Sequence, residues 1–239
     1  MFKRCGLGFL LSLVFVLFAY SSAVADTPVF KSNDGKWYGS IGTGVTMLND
    51  IDFSAAASGG GLTVTAAGAY TFDAAASIGG ALGYVINDFV RTEIELGFQK
   101  IDYDKINITG DVTYGATTVS YTAATDVKGD IDAAHFLTNV ILTPLGTKTI
   151  FGVPFTPLVG AGIGFIGMES TITSIGTAAV NSTTSNTDLL VSIMTGLEYA
   201  SSQQVTWSVR YGHSWIDSGR YGTADAEIDS IGANLNVAF

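Results

Sequence analysis

The sequence predicts an all-β protein, an eight-stranded antiparallel up-and-down transmembrane β-barrel, and three observations carry the prediction. The 239 residues are 47 % hydrophobic but only 13 % charged, about half the charged share of an ordinary soluble domain. Past the N-terminal 25 residues, no apolar run approaches the roughly 18 residues that a membrane-spanning helix requires. Apolar residues instead recur at every second position through eight segments, which is the period of a strand. The same composition excludes disorder, because 14 Phe, 10 Tyr and 3 Trp with few charges leave ample surface to bury.

Residues 1–25 read as a cleaved export signal. Lys3 and Arg4 form a basic start, and Gly6 to Tyr20 is an apolar stretch short for a membrane span. Ala23-Val24-Ala25 then puts small residues at the positions a signal peptidase reads, so cleavage is expected after Ala25. Removing 1–25 takes away Lys3, Arg4 and the single cysteine, Cys5, and moves the net charge from −10 to −12. A chain without cysteine holds no disulfide and no cysteine-based zinc site, and His135 and His213 alone make no metal motif. Its few Lys and Arg are scattered along an acidic sequence, which excludes nucleic acid as a partner, since phosphate neutralisation needs them clustered. No cofactor is expected. Residues 26–35 form a short periplasmic segment before the barrel, 36–239.

The eight strands follow in order. In the first, Trp37, Ile41, Val45 and Met47 share one face and Tyr38, Ser40, Gly42, Gly44 and Thr46 the other. The second sets Ala74, Ala76, Ile78, Leu82 and Tyr84 against Ala75, Ser77, Gly79, Ala81 and Gly83. The third sets Val90, Thr92, Ile94, Leu96 and Phe98 against Arg91, Glu93, Glu95, Gly97 and Gln99. In the fourth, Ala134, Phe136, Thr138, Val140 and Leu142 oppose His135, Leu137, Asn139 and Ile141. The fifth alternates Val159, Ala161, Ile163 and Phe165 with Gly160, Gly162 and Gly164. The sixth alternates Leu189, Val191, Ile193, Leu197 and Tyr199 with Leu190, Ser192, Met194, Gly196 and Glu198. The seventh has Val205, Trp207, Val209 and Tyr211 against Thr206, Ser208 and Arg210. The eighth has Ile231, Ala233, Leu235, Val237 and Phe239 against Ser230, Gly232, Asn234, Asn236 and Ala238.

The connections alternate in length. Long extracellular loops rich in Gly, Ser, Thr and Ala are expected near 49–68, 104–127, 167–185 and 216–225, the last one shorter. Asn87-Asp88 and Ser201–Gln204 are tight turns at the opposite end, where Thr143–Pro154 is the one longer connection. In an up-and-down barrel alternate loops leave opposite rims, so one rim is short and the other long. An eight-stranded barrel has an interior just wide enough for side chains. The glycine-bearing face suits that lumen, and the bulky apolar face is left for lipid. Trp37, Tyr84, Phe89, Phe98, Tyr199, Trp207, Trp215 and Phe239 fall where interfacial aromatics belong. A closed barrel also leaves no backbone edge unpaired in hydrocarbon.

With Gly83-Tyr84 followed by Asn87-Asp88-Phe89-Val90-Arg91-Thr92-Glu93-Ile94-Glu95-Leu96-Gly97-Phe98, the sequence resembles bacterial eight-stranded outer-membrane proteins of the opacity-protein and surface-antigen type, similar in fold to the membrane domain of outer-membrane protein A. Asn139, the alternating glycines of Pro157–Phe165 and the terminal run ending in Phe239 extend the resemblance from about Trp37 to the end. It departs after Arg210-Tyr211, where Gly212-His213 stands in place of a second basic–aromatic pair. The resemblance implies location in the outer membrane of a Gram-negative cell, contact with outer-membrane lipid, and a C-terminal signal read by the assembly machinery through Ile231, Ala233, Leu235, Val237 and Phe239. It carries no catalytic or ligand residue.

The sharpest cluster of chemistry is Arg91, Glu93, Glu95, Glu198 and Arg210, all on inner faces and several close to short turns. It is expected as a lumen charge network, structural or pore-lining, because charges kept inside a membrane protein pair with one another. His213-Ser214 beside Glu227 suggests a lipid hydrolase, but adjacent strand residues point to opposite faces, which argues against a dyad. Asp50, Asp52, Asp102 and Asp104 near long-loop ends are candidate calcium ligands, read as solvated acids. The expected function is therefore a non-enzymatic surface protein whose loops serve adhesion, surface interaction or envelope integrity, with a host or envelope ligand at the loops. A narrow pore is the alternative, and a lipid-modifying enzyme the third reading.

Overall fold

Among the described residues, eight strands close into a ring, and three shorter ones lie outside it. The computed structural model describes residues 37–150, 153–202, 204–217 and 226–239. The expected signal 1–25, the segment 26–35 and most of the connection 216–225 lie outside the described residues. The strands are β1 (Trp37–Leu48), β2 (Ile51–Gly59), β3 (Leu62–Phe72), β4 (Ala75–Asn87), β5 (Val90–Tyr114), β6 (Thr117–Leu142), β7 (Lys148–Ile150), β8 (Val153–Ile175), β9 (Ala178–Ala200), β10 (Val205–Asp217) and β11 (Ala226–Ala238). The ring runs β1-β4-β5-β6-β8-β9-β10-β11, every pair antiparallel. It closes through β1 on β11, from Tyr38 opposite Ala238 to Leu48 opposite Ile228, so the ring itself has no edge.

All eight expected strands are present, with the expected faces. Ile41, Ile78, Leu96, Phe98, Ile163, Phe165, Trp207 and Val209 are each at least half exposed. A belt of such side chains around a closed sheet has no protein to pack against and would be costly in water. At the short-turn end, Asn87 Oδ1 accepts from the N–H groups of Phe89 and Val90, both at 2.9 Å. Ser202 Oγ does the same for Gln204 and Val205. The side chains of Asn and Ser stand in for backbone acceptors there, as tight turns demand. Trp37 packs on Tyr84 and Phe155 on Tyr199, forming aromatic pairs at this rim.

The long connections differ in form from the irregular loops that the sequence suggests. Residues 49–68 fall largely in the hairpin β2–β3, which pairs through β3 with the far half of β5. Residues 104–127 are the continuation of β5 and β6 themselves, and 167–185 that of β8 and β9. The reason is local. Thr, Val, Ile and Tyr are strand formers, and each hairpin turns on two residues led by glycine at positive φ: Gly60-Gly61, Gly115-Ala116 and Gly176-Thr177. The far half of β5 still alternates, with Ile106, Ile108 and Val112 less exposed than Asn107, Thr109 and Asp111, whereas Thr117–Ala124 of β6 is exposed on both faces.

The apolar alternation changes phase where the strands leave the belt. On β5, Ile94, Leu96 and Phe98 point outward, but the next apolar residue, Ile101, is 1 % exposed and Lys100 and Asp102 take the outer face. The same switch occurs from Met47 to Leu48, from Phe165 to Ile166 and from Ile231 to Ile228. Beyond the belt the barrel is built as a soluble protein, apolar inside and charged outside.

Candidate functional site: a lumen closed at two levels

The inner faces meet in a lumen whose contents change along its length. Near the short turns, Arg91 on β5 reaches across to Glu198 on β9, with Nη1 to Oε2 at 2.9 Å and Nη2 to Oε1 at 2.5 Å. Arg210 on β10 holds Glu93 in a second fork, at 2.8 and 2.9 Å. Bidentate pairs of this kind add geometric definition to charge-assisted strength. Tyr38 on β1 donates its hydroxyl to Glu93 at 2.6 Å, and the Arg91 guanidinium lies 5.6 Å from its ring centre. Arg210 Nη2 also stands 4.0 Å from Glu198, which links the two pairs into one layer. Arg91, Glu93 and Glu198 are all no more than 3 % exposed.

Four of the five expected network residues therefore come together, and the fifth lies apart. Glu95, one step further along β5, accepts from Asn139 Nδ2 at 2.8 Å and faces His135 Nε2 at 3.5 Å. Tyr38 is a further member, on the inner face as its alternation predicts but singled out by no motif. Its signal is Gly83 on the neighbouring strand, where a Cβ would run into the Tyr38 ring. Gly97 leaves the same kind of socket for the His135 ring and Gly162 for the Asn139 amide. Gly83, Gly97 and Gly162 thus mark where large polar side chains lie against the wall.

Above the network is a cavity of about 150 Å³, lined among others by Ser40, Gly42, Glu95, His135 and Met194. Beyond it the lumen is filled with hydrocarbon. Leu48, Ile101, Ile131, Leu137, Ile166, Leu190, Ile216 and Ile228 are each 7 % exposed or less and pack as one cluster, with Ile51, Phe72, Tyr103 and Met168 against it. Sequence reasoning misses this apolar seal, because most of its members lie past the segments of clear alternation. Their position on the inner face, one residue out of phase with the belt, is the signal.

The outer face at this level carries the charges that the belt lacks. Lys100 Nζ donates to Asp130 at 2.9 Å and lies 3.6 Å from Asp132; the hydrogen bond to Asp130 raises the ammonium above its usual range. Inside, burial raises the Tyr103 phenol, which is hydrogen bonded to Ser170 at 2.7 Å. Asp229 accepts from Tyr211 at 2.5 Å and faces His213 Nδ1 at 2.9 Å, while Glu227 accepts from Asn49 at 3.0 Å. Ser214 points the other way, into the lumen, onto Ser192. His213 and Ser214 therefore do not meet. Among the described residues no group of three or more His, Asp or Glu is arranged to hold a metal ion, Asp50, Asp52, Asp102 and Asp104 included. Ile231, Ala233, Leu235, Val237 and Phe239 line the outer side of the last strand, at the seam with β1.

Residues 9–239 match the family model described as the outer membrane protein beta-barrel domain. Among solved structures, the chain is similar to Neisserial surface protein A, at 14 % identity and TM-score 0.44 over 86 % of this chain and 98 % of that one. It is similar to the attachment invasion locus protein of Yersinia pestis, in complex with the heparin analogue sucrose octasulfate, at 11 % identity and TM-score 0.45, covering 86 % and 99 %. It is also similar to the outer membrane protein OprG of Pseudomonas aeruginosa, at 15 % identity and TM-score 0.41, covering 87 % and 97 %. No curated protein matches it.

Proposed function

Because the chain belongs to the outer membrane protein beta-barrel domain family, we propose that its barrel is a closed, non-enzymatic anchor in the outer membrane and that its working region is the sheet held above that membrane. The double closure of the lumen carries this reading. Any solute crossing from rim to rim must break apart a pair of buried guanidinium–carboxylate forks and then a packed aliphatic layer, and neither leaves a continuous aqueous path.

The short-turn rim faces the periplasm and the hairpin rim the outside, as in outer-membrane barrels generally. On this placement β5 rises roughly 45 Å along its own direction beyond Lys100, at about 3.3 Å per residue. Exposed Thr, Ser, Ala and Tyr cover the far hairpins on both faces. Rigid display of polar side chains suits contact with another surface, a host cell or the envelope, and loops on a stable scaffold are where binding usually resides. The terminal face Ile231–Phe239 serves as the signal to the assembly machinery, and lipid covers the belt.

The test joins a recording on the refolded protein with an attachment assay on cells. In planar bilayers the folded chain is expected to be silent. Cells expressing a variant with β2–β3 and the far β5–β6 hairpin replaced by short turns are expected to keep the barrel and lose attachment to the surfaces that cells with the intact protein bind. Steady conductance that survives this replacement and responds to Glu95→Gln or Arg210→Leu would overturn the reading in favour of a pore.

A further inference from the structure

The two ion pairs near the short turns leave one inner carboxylate over. Arg91 is matched to Glu198 and Arg210 to Glu93, so that layer carries no net charge. Glu95 shares in neither fork. It accepts one bond from the neutral amide of Asn139 at 2.8 Å and stands 3.5 Å from His135 Nε2. A carboxylate inside a membrane-spanning barrel needs a counter-charge, because removing it from bulk water costs more than one neutral hydrogen bond returns.

Glu95 also faces open space. Its side chain is 30 % exposed and that of His135 18 %, although both lie on inner faces, and both line the cavity of about 150 Å³. Among the described residues around this cavity, Glu95 is the one acid, and Arg210, the one Arg or Lys, is already spent on Glu93. The rest of the wall is neutral. Ser40, Ser192 and Asn234 bring side-chain oxygens to it, and the aliphatic layer closes it above. Oxygens of this kind suit a hard cation, and the space has room for several waters besides.

We propose that the cavity is a site for one alkali cation, sodium or potassium, seated against the Glu95 carboxylate and completed by neutral side-chain oxygens and water. One unmatched negative charge calls for a monovalent ion, since a divalent one would leave a net positive charge in the same place. With an ion-pair layer below and an aliphatic layer above, the ion exchanges only when one of them opens. It is therefore enclosed as the barrel folds and stabilises the folded state as part of its interior. The inference rests on the closed lumen proposed above but not on attachment to another surface.

The experiment refolds and then heats the full chain in neutral-detergent micelles, in sodium or potassium chloride and in N-methylglucamine chloride at the same ionic strength. Equal ionic strength holds the screening of the exterior acids constant, and N-methylglucamine is too bulky to sit beside Glu95. An ion bound only by the folded state raises the unfolding midpoint. The parent is expected to unfold about 2–4 °C higher in an alkali salt than in the organic one, a shift that modest stabilisation gives a chain of this size. Glu95→Gln, which keeps an oxygen for the Asn139 amide, should remove the difference, and His135→Gln should retain it. A parent midpoint equal in all three salts overturns the proposal. So does a difference that survives Glu95→Gln, which would put the ion on the exterior acids. A salt-independent parent that His135→Gln destabilises and added Glu95→Gln restores also overturns it, because the imidazole would then be the counter-charge. Closure is read separately by conductance in a planar bilayer, so failure of the anchor reading and failure of the ion site are distinguishable.

Discussion

Glu93 is 1 % exposed and held by three hydrogen bonds, two from Arg210 and one from Tyr38. A carboxylate so placed is tolerable only while its partners remain, because the cost of removing it from water is offset by those bonds alone. Arg210→Leu should therefore destabilise the barrel by about 3–5 kcal/mol, the range for breaking a buried pair from one side. It would appear as a lower urea midpoint for unfolding from lipid vesicles. Glu93→Gln added to Arg210→Leu should recover some of the loss, and no recovery would mean that the pair is not coupled. Gly83 makes a separate prediction. A side chain there collides with the Tyr38 ring, so Gly83→Val should destabilise by about 1–3 kcal/mol, as overpacking does. Tyr38→Ala in the same chain should relieve the collision, although it removes a hydrogen bond. An equal midpoint for Gly83→Val and the parent would show that the wall yields.

At the scale of one strand, β5 passes through two solvents. Leu96 and Phe98 are 52 % and 58 % exposed on the belt, whereas Ile101, three residues on, is 1 % exposed inside. Identical polar substitutions should therefore act by different routes. Leu96→Asn places an amide in hydrocarbon and should impair insertion into vesicles. Ile101→Asn leaves the belt intact but buries an amide without a designed partner, at a cost of about 1–3 kcal/mol. It should insert normally and then unfold at lower urea. If both variants insert at the parent's rate, the boundary between belt and projecting sheet is not at Lys100. The alternation of β5 up to Gln99 is legible from sequence because lipid imposes a strict one-face pattern. Its continuation to Tyr114 is harder to read, since the irregularity between Asp102 and Lys105 breaks the period before Ile106, Ile108 and Val112 resume it. Gly115-Ala116, a glycine-led two-residue turn, is the local clue that remains.

For the whole molecule, closure at two levels means that breaking one leaves the other. Arg91→Ser with Glu198→Ser should open the charge layer and yet remain silent in a bilayer, as should Ile101→Ser with Ile166→Ser in the aliphatic layer. Only the combination of all four is expected to conduct. Conductance from either pair alone would show that a single layer does the sealing. The cavity of about 150 Å³ between them is the space that such a variant joins to both sides.

By itself the sequence determined the eight barrel strands, their inward and outward faces, and the placement of Arg91, Glu93, Glu95, Glu198 and Arg210 on the inner side. Each follows from a rule that acts along the chain or between neighbouring strands: period two under lipid, glycine where the lumen is narrow, alternating turn lengths. The tertiary structure alone decided how the two ion pairs are matched, the separation of Glu95 from them toward His135 and Asn139, the apolar seal and the extension of β5 and β6 beyond the belt. Arg91 and Glu198 are 107 positions apart, and which guanidinium takes which carboxylate depends on the stagger of the closed barrel, a quantity summed over all eight pairings. Periodicity within a strand records which way a side chain points but not how far each strand has slipped against its neighbours.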